Sequence, residues 1–133
     1  MEAIHQGGCL CGALRYRIDA ALDDVAHCHC SLCRRSSGGI VVTWATLPRT
    51  AFQWLAGRPA SYESTPGNWR RFCGHCGTQL VFESEQSPDS LDVTIASLDH
   101  PERVPAQRHI WVKSRLPWLH LDEQLPEEQE EQL

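Results

Sequence analysis

The chain has 133 residues, 22% charged and 41% hydrophobic, with a net charge of −5 and a pI near 5.7. That length makes about one ordinary domain with its own core, and the composition excludes disordered, fibrous and membrane-spanning classes. The acidic balance argues against affinity built on phosphate contacts, so no nucleic-acid partner is expected, although Arg34–Arg35 and Arg70–Arg71 are local patches that could bind an anion.

The first ten residues, MEAIHQGGCL, lack a basic region followed by an apolar run, and no segment reaches membrane-helix length. The expectation is a cytoplasmic protein with no membrane association. Along the chain the β-rich runs are ALRYRI, GIVVTWATL, FQWL, RRFC, TQLVFES, LDVTIASL and RHIWVKS, separated by turn signals such as Thr65-Pro66-Gly67-Asn68 and Ser87-Pro88-Asp89. Only SLCRRSSG and DEQLPEEQ suggest short helical turns. The pattern predicts a mainly β fold of short antiparallel strands with few helical turns. From Asp122 onward the chain is acidic and poor in core-forming residues, which predicts a solvated tail over 122–133.

Seven cysteines cannot all pair within one chain, and cytosolic thiols stay reduced, so metal binding or thiol chemistry is the expected use. They fall into Cys9-x-Cys11, Cys28-x-Cys30-x-x-Cys33 and Cys73-x-x-Cys76. Residues i and i+2 of a strand share a face, so Cys9 and Cys11 can aim at one point. CGHCG at 73–77 has the look of a zinc knuckle, its glycines allowing a tight turn with bare amides beside sulfur. Joining these halves gives a closed structural site with four cysteine ligands. Cys28, Cys30 and Cys33 are then left with three ligands and one open position, the ligand count of catalytic zinc. Spacing favours this four-plus-three division, but also allows the CHCSLC thiols to recruit an outside cysteine, or a single metal to bind. His27, His29 and His75 read as surface or supporting residues, since ligation demands specific geometry.

Three thiolates leave zinc with about one net negative charge, a soft and weak Lewis acid. Such a centre suits an incoming thiol and a carbonyl carbon better than an unactivated amide. Nucleobase deaminases also use cysteine-rich zinc, but their H-x-E and P-C-x-x-C signatures are missing: no Glu accompanies CHCSLC, and Phe72 precedes Cys73.

The ordered set GGCLCGALRY, CHCSLCRRSSGG, RRFCGHCGTQL and HIWVKSRLPW resembles the glutathione-dependent formaldehyde-activating enzyme family, whose domain is shared with centromere protein V. The resemblance runs from about Gly7 to Leu121, which makes 1–121 the expected zinc-binding domain. It implies a tent-like, mainly β fold with two zinc ions per chain. Cys9, Cys11, Cys73 and Cys76 would hold the structural ion, and Cys28, Cys30 and Cys33 the catalytic one. It further implies a carbon–sulfur lyase acting on a small-molecule thiol–aldehyde adduct, S-hydroxymethylglutathione in the founding activity. Two other classes compete on the residues alone: a zinc-stabilised binding module in which both metals are structural, and a redox protein using the CHCSLC thiols. Arg34 and Arg35 read as solvated cations at a turn or as a carboxylate clamp. The five tryptophans read mainly as core.

Overall fold

Residues 4–131 are described by a computed structural model. Its ten strands are β1 (Ile4–Gly8), β2 (Arg15–Asp19), β3 (Val25–Cys28), β4 (Val42–Pro48), β5 (Phe52–Ala56), β6 (Ala60–Thr65), β7 (Asn68–Phe72), β8 (Gln79–Ser84), β9 (Ser90–Thr94) and β10 (Arg108–Ile110). The α-helix among the described residues is α1 (Ser31–Ser37). The mainly β expectation therefore holds. A three-stranded sheet in the order β1-β2-β5 lies beside a seven-stranded sheet in the order β10-β3-β4-β9-β8-β7-β6. All pairings within these sheets are antiparallel except that of β10 with β3.

The period of two divides the large sheet into two unlike faces. Val25, Ala45, Leu47, Val81, Leu91 and Val93 form one face and bury against Leu14, Tyr16 and Ile18 of the small sheet and the loop before it. This is the main core. The opposite face carries Ala26, Cys28, Trp44, Thr46, Arg70, Phe82, Asp92 and Ile110, and it lines a cavity instead. A second, smaller core of Ala26, Cys28, Cys33, Val42, Trp44 and Ile110 packs α1 onto that face.

Several elements depart from the sequence pattern. Strands β1, β3 and β6 escape it, because IHQGG, VAHC and ASYEST are short or carry little apolar alternation; each is held by its partner strands. RHIWVKS keeps only three strand residues. Trp111 then takes a left-handed conformation (φ 58°) and Val112–Ser114 close a single 3-10 turn. The acidic segment is neither helical nor free. Pro126 O accepts from the His109 N–H (2.8 Å), the Glu128 N–H donates to His109 O (2.9 Å), and Val112 N–H donates to Glu128 O (3.1 Å). β10 is an edge with unpaired backbone groups and carries Arg108, with Lys113 and Arg115 just beyond it. An acidic segment satisfies both needs: Arg108 pairs with Glu128 (2.9 Å) and Glu131 (3.1 Å), and Arg115 with Glu127 (2.6 Å). Residues 132 and 133 of the expected tail lie outside the described residues.

One close approach fixes how β1 meets the core. A Cβ at Gly7 would collide with the Tyr16 hydroxyl oxygen and stand 2.5 Å from the Ser97 carbonyl oxygen. The carbonyl belongs to backbone, and Tyr16 is locked by its 2.7 Å bond to Ser97 Oγ and by stacking on Phe52. Gly7→Ala is expected to cost about 1–3 kcal/mol, the usual range for overpacking, seen as a lower urea midpoint.

Candidate active site

Two groups of cysteines occupy different surroundings. In the first, the sulfurs of Cys9, Cys11, Cys73 and Cys76 all lie within 4.8 Å of one another, with Cys9–Cys11 at 3.6 Å and Cys11–Cys73 at 3.7 Å. A tetrahedron with metal–sulfur bonds of about 2.3 Å has edges of about 3.8 Å. A disulfide would need about 2.05 Å. The four thiols therefore fit a tetrahedral metal ion.

Both halves of this group are turns. Cys9 and Cys11 follow the end of β1 rather than sharing a strand face. The Gly12 N–H closes onto Cys9 O (3.1 Å), with Gly12 at φ 81°, and Leu14 N–H donates to Cys9 Sγ (3.2 Å). In the knuckle, His75 N–H and Cys76 N–H both donate to Cys73 Sγ at 3.4 Å, and Gly77 N–H closes onto Cys73 O (2.8 Å). Amides directed at sulfur favour the thiolate. Thr78 contacts both halves: its Oγ1 lies 3.2 Å from Cys76 Sγ and accepts from Leu10 N–H (3.1 Å). That hydroxyl, with the Thr78 amide, holds the Cys76 thiol down to about 5.

Cys28, Cys30 and Cys33 form the second group. Cys28 ends β3, Cys30 is the N-cap of α1, and Cys33 lies in its first turn. Cys28 and Cys33 sulfurs are 3.6 Å apart. The Cys30 thiol is drawn down to about 2, first by contact with Cys28, then by Cys33 and the amides of Cys33 and Leu32 at the helix start. The same contacts, with Cys30 first, push Cys28 strongly up. Three sulfurs this close hold several negative charges only beside a cation. They gather less tightly than the first group: among the described residues, the four-cysteine set is the only cluster whose ligand atoms all lie within 4.8 Å of one another.

What distinguishes the trio is the cavity. Cys28, Cys30 and Cys33 line a space of about 1080 Å³ that none of Cys9, Cys11, Cys73 and Cys76 borders. Trp44 and Phe82 form an apolar wall, with ring centroids 6.2 Å apart, and Trp111 adds to the lining. Asp92 stands opposite Thr46, four residues along β4 from Val42, the partner of Cys28. At about 3.4 Å per residue the cavity extends roughly 14 Å along the strands.

Burial pushes the Asp92 carboxyl up to about 7. Thr46, whose hydroxyl donates to it at 2.6 Å, and Arg108 oppose the shift, while Glu131 and Asp24 reinforce it. An unfolded Asp ionises near 3.9. Between about pH 4 and 7 the folded chain thus keeps a proton that the unfolded chain has lost, and stability falls with rising pH across that window. Asp92→Asn is expected to remove this slope, so the variant gains on the wild type as pH rises from about 4 to 7 in paired thermal melts.

The histidines support the site from behind. His29 and His109 are fully buried and His27 nearly so. His109 Nε2 lies 2.9 Å from Asp122 O, so it must donate. His109 Nδ1 lies 2.9 Å from His29 Nε2, and His29 Nδ1 is left without a partner. Burial holds His29 down to about 4, which keeps it neutral. His27 bonds Thr43 and Asp122, both at 2.7 Å. Asp122 thus ties the acidic segment to β3 and β10. His75 stays outside this array.

Arg34 is also no free cation: its Nη1 donates to His29 O (2.8 Å) and Ser114 O (2.5 Å). Arg35 is exposed. The sequence reading had Arg70 only as half of a local Arg70–Arg71 patch; it is 4% exposed and directs Nη1 and Nη2 at Cys33 Sγ (3.6 and 3.7 Å). Its signal was its place in β7, where alternation puts it on the face opposite Arg71.

Fold and site together define a small mainly β domain with a four-cysteine cluster set apart from the cavity and a second group of three cysteines lining it. The sequence profile described as glutathione-dependent formaldehyde-activating enzyme matches residues 4–114, and the chain belongs to that family. A Halomonas elongata protein provisionally named a glutathione-dependent formaldehyde-activating enzyme is 24% identical over 127 residues, covering 88% of this chain and 80% of its own length. A crystal structure of a Rhodobacter sphaeroides protein shares the fold with a TM-score of 0.61 at 20% identity, covering 92% of this chain and 98% of that one. No helix among the described residues is long and apolar enough to cross a membrane.

Proposed function

We propose that the protein is a zinc-dependent carbon–sulfur lyase or aldehyde-activating enzyme, acting on a small thiol–aldehyde adduct of the S-hydroxymethylglutathione type. The observation that carries this reading is that Cys28, Cys30 and Cys33 line the large cavity and the other four cysteines do not. Cys9, Cys11, Cys73 and Cys76 are the ligands of a structural zinc, closed off from the cavity. Cys28, Cys30 and Cys33 are the ligands of a second zinc, with their free side toward the cavity. Zinc held by three thiolates supplies a soft Lewis acid that favours the thiolate form of an incoming thiol.

The residues around the trio fit that chemistry. In the forward direction the substrate sulfur bonds to the aldehyde carbon, and the thiol proton ends on the former carbonyl oxygen; the lyase direction reverses both changes. No protein nucleophile is needed. Trp44 and Phe82 keep water from one side of the reacting carbon. An extended tripeptide is about 10 Å long, so the roughly 14 Å cavity accepts a glutathione-sized thiol whose sulfur reaches Cys28 while its remainder lies toward Thr46.

Native mass spectrometry of protein purified without chelator tests the assignment. The expected result is two zinc ions per chain, with glutathione retained only by the two-zinc form and formaldehyde adduct exchange visible by NMR. One zinc, together with alkylatable Cys28, Cys30 and Cys33 in native protein, would sink it.

A further inference from the structure

Arg70 is the most deeply buried cationic side chain among the described residues, and its surroundings are unusual. A guanidinium stays charged at all working pH values, and burying it without an opposing charge is costly. Its neighbour Arg71, on the other face of β7, meets this need through Glu83 (2.7 Å). Arg70 meets it with sulfur: Nη1 and Nη2 both point at Cys33 Sγ, at 3.6 and 3.7 Å. The remaining contacts hold the fork in place. Nε donates to Ser64 Oγ (3.0 Å), Nη1 also donates to Ser36 Oγ (3.2 Å), and the guanidinium carbon sits 5.1 Å from the centre of the Phe82 ring. A single side chain from β7 therefore reaches across the cavity floor to α1, bringing its charge to one particular cysteine.

We infer that Arg70 is a positioning residue for the open cysteine site: its two-pronged contact on Cys33 fixes the direction of that sulfur and sets a buried positive charge beside the three sulfurs that would hold the metal. This rests on the reading that Cys28, Cys30 and Cys33 bind zinc. Three thiolates and one divalent ion sum to −1, and the Arg70 guanidinium brings the buried assembly to neutrality. Hydrogen bonding to Cys33 also draws electron density from its sulfur, leaving a bound ion more electrophilic toward a substrate thiol or carbonyl than three unassisted thiolates would. Lysine cannot substitute fully, because a point charge lacks the fork that reaches Cys33 and Ser36 together.

The test compares wild type, Arg70→Met and Arg70→Lys, each loaded with zinc and separately with cobalt(II). Zinc release to a chromogenic chelator is followed in two phases, one per site. Arg70→Met is expected to speed the phase assigned to the open site by about 10- to 100-fold, the usual effect of removing a partner that supports a metal ligand, and to leave the other phase unchanged. Its cobalt(II) form should show the sulfur-to-metal charge-transfer band at longer wavelength, a change that a merely structural role would not produce. Arg70→Lys, which keeps the charge and tests the inference even if the Met variant folds poorly, should fall between the two. Two release phases in wild type with the same rates and bands in both variants would overturn the role of Arg70 alone, as would equal acceleration of both phases. A single metal in wild type would overturn the zinc assignment of the trio and this inference with it.

Discussion

Cys73→Ser is expected to abolish stable folding, with loss of the sigmoidal thermal transition and of the structural zinc. Cys73 is 1% exposed and belongs both to the main core and to the four-sulfur cluster. The cluster joins the Cys9–Cys11 turn, which leads into β2, to the knuckle between β7 and β8. Without it these segments meet mainly through packing. Structural zinc contributes about 10–16 kcal/mol in zinc-finger peptides, against a total stability of about 5–15 kcal/mol for a domain. Serine oxygen is a poor replacement for a thiolate at a soft site, and it leaves the amides of His75 and Cys76 without their sulfur acceptor. Circular dichroism melts with parallel zinc analysis check this. An unchanged melting curve would refute the structural assignment.

Cys30→Ser is expected to do the reverse: removal of the second zinc and of all turnover, with folding and the first zinc retained. Cys30 is only partly buried and occupies the N-cap of α1, with φ −56° and ψ 134°. Serine is among the best N-cap residues, so the helix is kept while the ligand set falls from three thiolates to two. The main core and the four-cysteine cluster do not include Cys30. The comparison of interest is therefore activity against fold in one variant. Wild-type turnover in Cys30→Ser would count against the trio as the reacting centre, and collapse of the fold would make that trio structural.

The amino-acid sequence by itself determined the fold class and the three cysteine motifs; that Cys9 and Cys11 meet Cys73 and Cys76 is seen only in the structure. Alternation in TQLVFES and GIVVTWATL forces one face of each strand inward, and CGHCG closes a knuckle through local dihedrals; both are short-range effects. It also marked Ser31–Gly38 as helical. Other features were decided only by tertiary structure, because they depend on residues far apart in the chain. The parallel pairing of β10 with β3 brings His109 beside His27, with their ring centres 5.1 Å apart, and turns apparent surface histidines into a buried stack. The edge of β10 captures an acidic segment whose composition alone favours solvation. The even-numbered face of the large sheet becomes a cavity wall, and it is this wall that puts one cysteine group on the cavity and not the other. Arg70 shows the limit most directly: in sequence it is one of two adjacent arginines, and only the tertiary fold brings Cys33 of α1 to Arg70 on one face of β7 and Glu83 of β8 to Arg71 on the other.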